Sequence, residues 1–135
     1  MKIEDLIKQV NLAIRQLGVN PEEARNKGTN QWDLLTGKLH LMIDVFEVGG
    51  NTFFQCLVKL AEVEEDNSFI FGKLLEQNHT LIDITLTKYK NSIYLKSILH
   101  GEYCDIDYIM AVLNKISDYG EKLVILIDAM KNQQL

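Results

Sequence analysis

The sequence predicts an α+β domain, an antiparallel five-stranded sheet with helices, in the order α-βββ-α-ββ-α. Three observations carry this. Apolar residues recur at helical spacing near both ends of the chain, and they alternate strictly in the segments between. The stretch Phe69–Leu99, FIFGKLLEQNHTLIDITLTKYKNSIYLKSIL, reads as a short helix and then a β-hairpin, with one long helix to follow. Strands joined by tight turns imply antiparallel pairing, because parallel neighbours need long crossovers.

The first helix rests on Ile3, Leu6, Ile7, Val10, Ala13, Ile14 and Leu17, with Lys2, Glu4, Asp5, Lys8, Gln9 and Arg15 on the other side. Gly18 stops it and Pro21 follows, the usual punctuation of a helix end. Residues 20–30 are polar and read as a connection with room for one helical turn. QWDLL, from Gln31, is a first strand, with a turn at Thr36-Gly37. In the second strand Leu39, Leu41, Ile43 and Val45 share one face, while Met42 and Phe46 lend apolar character to the other. Gly49-Gly50-Asn51 supplies the positive φ angles of a hairpin turn. Phe54, Cys56, Val58 and Leu60 form one face of the third strand, which ends in charge at Glu62, Glu64, Glu65 and Asp66.

Asp66, Asn67 or Ser68 caps the middle helix, where Phe71, Leu74, Leu75 and Asn78 fall at helical spacing. Ile82, Ile84 and Leu86 alternate with Asp83, Thr85 and Thr87 as a fourth strand, Lys88–Asn91 turns, and SIYLKSIL returns as the fifth. Asp105 or Asp107 opens the last helix, and Ile109, Val112, Leu113, Ile116, Leu123, Ile127 and Met130 trace its apolar stripe. Unbroken over 106–131, it would be roughly 39 Å long. Gly120 interrupts the stripe, so either it kinks or ends a first segment, or the tail projects onto a partner.

The 135 residues are one domain's worth of chain, expected to span 1–135 as a single unit, and large enough for a core without disulfide or metal staples. Hydrophobic residues at 47% and charged residues at 24% argue against disorder. A net charge of -5 argues against nucleic acid and against anionic membranes, both of which select clustered cations. No apolar run approaches the ~20 residues of a membrane span, and the N-terminus lacks the apolar core of a signal peptide. Two cysteines, Cys56 and Cys104, suit a reducing compartment, so a cytoplasmic location is expected.

Motifs for chemistry are weak. Cys104, His100 and Asp105 contain the residue types of a nucleophilic triad, but they crowd a strand end and a helix start, and no oxyanion-hole signal accompanies them. His40, His79 and His100 with the two cysteines lack any zinc-ligand spacing. The acidic run Glu62, Glu64, Glu65 and Asp66 lacks the alternating ligands and glycine of a calcium loop. Gly49-Gly50 is followed by no phosphate-loop lysine, and Asn78-His79-Thr80 matches a glycosylation acceptor without a secretory signal. No enzyme activity, catalytic residue, metal site or cofactor is therefore expected. The apolar residues Phe53, Phe54, Leu57, Phe69, Ile70 and Phe71 are more informative. Phe53 and Leu57 lie on the strand face opposite Phe54, Cys56 and Val58. If helices cover one sheet face only, the other exposes a patch that calls for a partner.

The element order, with three motifs, resembles the YbjN-like family, whose fold is that of type III secretion chaperones. Gln31-Trp32 leads into a strand, a small turn and a second strand. Leu74-Leu75-Glu76-Gln77-Asn78-His79 looks like the "LL..N" end of the family's middle helix, followed immediately by the strand Leu81–Thr87. Ile93-Tyr94-Leu95-Lys96, an acidic opening and a long helix resemble the closing segment. The resemblance covers roughly residues 1–130 by element order. It implies a non-enzymatic, chaperone-like homodimer that binds an unfolded or extended protein client. The alternative is a small regulatory or structural domain that assembles with a specific folded partner. The residues that would touch a partner are left unknown by sequence alone.

Overall fold

The computed structural model describes residues 1–133. Helix α1 runs Ile3–Gln16 and buries Leu6, Val10, Ala13 and Ile14 of the expected stripe; Ile3 and Ile7 are half-buried, and Leu17, just past the helix, is exposed. Gly18 follows with φ +83°, the left-handed geometry that ends a helix. The single turn α2, Pro21–Ala24, is capped by Asn20, whose Oδ1 accepts the Glu22 N–H at 3.0 Å. Five strands follow or flank the middle helix: β1 Gln31–Thr36, β2 Leu39–Val48, β3 Asn51–Glu62, β4 Thr85–Tyr89 and β5 Ser92–His100. All neighbours are antiparallel, in the spatial order β1-β2-β3-β5-β4. Helix α3, Ser68–Asn78, stands between β3 and β4 in sequence; a 3-10 turn, Gly101–Tyr103, joins β5 to α4, Ile106–Gln133. The predicted class and order are thus observed.

Register places Trp32, Leu34, Ile43, Cys56, Val58, Leu86 and Leu95 on one sheet face, and all are buried. Helices α1 and α4 lie side by side on that face, and α3 packs at its β4 margin with Ile70 and Leu74 inward. Trp32 is fully buried; its indole Nε1–H donates to Asn11 Oδ1 of α1 at 3.1 Å, and the Arg25 guanidinium lies 5.3 Å from the ring centre. This ties β1, α1 and the chain after α2 together.

Helix α4 is a single 28-residue helix, roughly 42 Å long. Gly120 does not end it. A Cβ there would come within 2.8 Å of Leu39 Cδ1, so the glycine lets the helix backbone settle directly on the sheet. The interruption in the apolar stripe is therefore a place where the helix packs too tightly on Leu39 for a side chain. Asp105 is the cap, its Oδ1 accepting the Tyr108 N–H at 2.8 Å.

Strand β4 differs from expectation: it begins at Thr85, not at Ile82. Asp83 sits at φ +65°, a left-handed conformation that Asp tolerates but a strand cannot continue through. Its carbonyl accepts Ser97 Oγ–H at 2.9 Å and its carboxylate meets Lys115 Nζ at 3.6 Å. Ile82 is left 71% exposed instead of joining the core. The strand also runs on to Tyr89, so the turn shrinks to Lys90-Asn91, with Lys90 at φ +55°.

Candidate protein-binding surfaces

The residues considered for catalysis take structural positions. His100 Nδ1 accepts the Glu102 N–H, Cys104 Sγ–H points at the His100 carbonyl at 3.4 Å, and Asp105 caps α4. Burial, aided by the Asp105 charge, pushes the Cys104 thiol up to about 11, and burial pushes Cys56 up to about 12. Both sulfurs are protonated at neutral pH, the opposite of an activated nucleophile. His40 pairs with Asp33 at 3.3 Å on the sheet surface, and His79 ends α3. Among the described residues no three His, Cys, Asp or Glu side chains converge in a way that could hold a metal ion. In the acidic run, Glu62 engages Lys59 at 2.6 Å. Gly49 and Gly50 form the β2–β3 turn at φ +57° and +80°.

The apolar residues divide into three groups. Phe54 and Ile70 are core. Phe53 and Leu57 lie on the sheet face opposite the helices, where every strand residue but Ser92, beside the β4–β5 turn, is exposed or half-buried. Phe46, Phe53 and His100 form one cross-strand row: Phe46 stacks on Phe53 with ring centres 5.7 Å apart, and Phe53 meets His100 edge-on at 5.3 Å. Tyr103 extends the row at 5.9 Å from His100. Met42, Leu57 and Lys96 form the next row but one, with Ile98 between, 48% exposed. Asp33 and Asp44 mark the β1–β2 side of this face, and Lys59 and Lys96 the β3–β5 side. Partial burial among these neighbours raises the Asp44 pKa, against hydrogen bonds from Gln31 and Val45. The face thus carries apolar side chains on either side of the polar Gln55, with Asp33 and Asp44 on its β1–β2 side and Lys96 and the Lys59–Glu62 ion pair on its β3–β5 side.

The third group is at α3. Phe71, Leu74, Leu75, Leu86 and Ile93 line an apolar cleft of about 200 Å³ between α3 and β4, closed at one side by Asn78 and Lys88. Leu75, which helical spacing placed beside Leu74, is 69% exposed at its mouth, and Phe69 is 43% exposed on the same helix.

No family model and no curated relative matches the sequence. Solved structures do match. One is a chain of the heterodimeric complex ExoU–SpcU from the type III secretion system of Pseudomonas aeruginosa, with TM-score 0.62 at 15% identity over 87% of this chain and 96% of that one. Another belongs to the crystal structure of the Yersinia pestis type III secretion chaperone SycH in complex with a stable fragment of YscM2, with TM-score 0.62 at 13% identity over 90% and 99% of the two chains. The fold is that of the type III secretion chaperones. The resemblance drawn from element order therefore holds at the level of architecture.

Within this secretion-chaperone fold, the motif residue Asn78 has a definite role that its sequence position hides. Its carboxamide accepts the Leu86 N–H at 2.7 Å and donates to the Leu86 carbonyl at 3.1 Å. Asn67, at the other end of α3, caps the helix by accepting the Ile70 N–H at 3.1 Å. The two asparagines fix the helix that carries one wall of the cleft. No helix of the described residues is long and apolar enough to cross a membrane.

Proposed function

We propose that residues 1–135 act as one chaperone-like, non-enzymatic domain that binds an unfolded or extended protein client. The observation that carries this reading is the uncovered sheet face. Aromatic and aliphatic side chains lie on it to both sides of Gln55, and a packed helix layer stabilises only the opposite face. Monomeric proteins rarely leave such a contiguous apolar surface without a use for it. The fold it shares with a secretion chaperone solved on a protein fragment supports the same reading. Buried, free Cys56 and Cys104 are consistent with action in the reducing cytoplasm.

The test is suppression of aggregation of a heat-denatured reporter such as citrate synthase. The native protein is expected to suppress it. The pair Phe53→Glu and Leu57→Glu should weaken client binding at least ten-fold, about 1.4 kcal/mol. Because both side chains are only half-buried, melting temperature should stay within a few degrees. Full suppression by this variant would sink the proposal. Stable association with one folded partner, and none with denatured protein, would favour a regulatory assembly domain.

We further propose a homodimer that buries the α3–β4 cleft. Leu75 protrudes at its mouth and Phe69 is exposed on the same helix, and self-association gives such residues cover. Sedimentation equilibrium at micromolar concentration should return twice the chain mass, and Leu75→Glu should return the single-chain mass. A native protein that sediments as a monomer refutes this placement.

A further inference from the structure

Sheet edges offer rows of main-chain donors and acceptors that any extended chain can pair with. The two edges of this sheet are β1 and β4. At β1 the preceding chain already pairs with the start of the strand: the Asn26 N–H donates to the Gln31 carbonyl at 2.8 Å, and Arg25 bridges to Trp32. At β4 no strand follows outward, yet the edge is not bare. The Leu86 N–H and C=O both point outward, and the Asn78 carboxamide meets both, at 2.7 and 3.1 Å.

An antiparallel neighbour would place one residue opposite Leu86 and exchange the same two bonds. A carboxamide has the donor and acceptor of a peptide unit, so Asn78 stands in for that residue. The two bonds are short and partly buried, where their replacement by water is unfavourable. Lys88 is next along the same edge by the two-residue period of a strand. Its ammonium lies 5.0 Å from the Phe71 ring centre, and a lysine on an edge strand discourages pairing. An ion pair to Lys115 and a hydrogen bond from Ser97 hold Asp83, just before the strand, to the domain itself.

We propose that Asn78 is an edge guard: its side chain occupies the pairing site on β4 and keeps the sheet from being extended there. Association on this side of the molecule then runs through α3 side chains and not through a continuous inter-chain sheet. The guard is independent of whether a client binds the open face.

Amide hydrogen exchange followed by NMR, together with sedimentation velocity, tests this. In the native protein the Leu86 amide should exchange at least ten-fold more slowly than the Lys88 amide, which faces the same outer side. In Asn78→Ala the Leu86 protection should fall at least ten-fold while Val58 and Leu95, in the core strands, keep theirs. The same variant should form assemblies that grow with concentration and that Lys88→Pro, which removes the next edge donor, suppresses. Unchanged Leu86 protection, or an exposed edge with no gain in self-association, overturns the proposal. Should Asn78→Ala fail to fold, the native comparison decides alone: Leu86 exchanging as fast as Lys88 refutes the guard.

Discussion

Trp32→Ala should destabilise the protein by about 3–5 kcal/mol, the range for removing a fully buried large aromatic side chain. Trp32 is 0% exposed, and its ring is held between the β1–β2 pairing with Ile43, the Asn11 carboxamide of α1 and the Arg25 guanidinium. The cavity would open where three segments meet, so no single one can collapse into it. Total stabilities of about 5–15 kcal/mol make this a large fraction of what holds the fold. Melting temperature should fall by roughly 10–20 °C in a calorimetric scan. Trp32→Phe separates packing from hydrogen bonding. It keeps most of the ring volume and loses the N–H, and Asn11 is partly exposed, so its oxygen can turn to water. Its loss should be less than half that of the alanine variant. Equal losses would show that the hydrogen bond, and not the packed ring, is what the site depends on.

Gly101→Ala carries the second large effect. Gly101 is buried where β5 turns into the 3-10 segment, and a methyl group there would overlap Thr52 Oγ1 and approach the Thr52 Cβ and carbonyl oxygen to 3.0 Å each. Thr52 is itself buried, so neither side has free space. The carbonyl belongs to β3, which cannot shift without disturbing its pairing with β2 and β5. Overpacking of this kind typically costs about 1–3 kcal/mol, and the backbone contact points to the upper part of that range. Combining Gly101→Ala with Thr52→Ala should recover part of the loss, because it removes the hydroxyl but leaves the main-chain contact. A chemical-denaturation cycle over the four proteins measures that coupling. Complete additivity would mean that the methyl group is accommodated elsewhere.

Much of the scaffold could be read locally. The stripe from Ile109 to Met130 in α4 is buried as its spacing required, and Asp105 and Asn67 cap the helices they precede. Alternation assigned Phe54, Cys56 and Val58 to the core face and Phe53 and Leu57 to the other. What alternation could not say is whether that other face is covered, because this depends on where the helices settle. Gly120 shows the same limit: a gap in a stripe looks like a break until the neighbouring Leu39 side chain is in place. Ile82 misled because Asp83 leaves the strand conformation, a choice stabilised by Ser97 and Lys115 from other elements. In sequence Asn78 stands out only for its place in a motif, whereas its bonds to Leu86 exist only once α3 has docked beside β4.

The adjacency of α1 and α4 bears on how the protein is made. These helices come from opposite ends of the sequence, yet they share one layer over β2 and β3. Synthesis is vectorial, so the strands emerge long before the last helix can reach them. Until then the sheet has one apolar surface awaiting α4 and a second that stays open in the finished molecule. Contacts that span nearly the whole chain form late and slowly, and intermediates with unburied surface aggregate readily. The nascent polypeptide therefore passes through a stage in which it needs the same protection that we propose it gives to others.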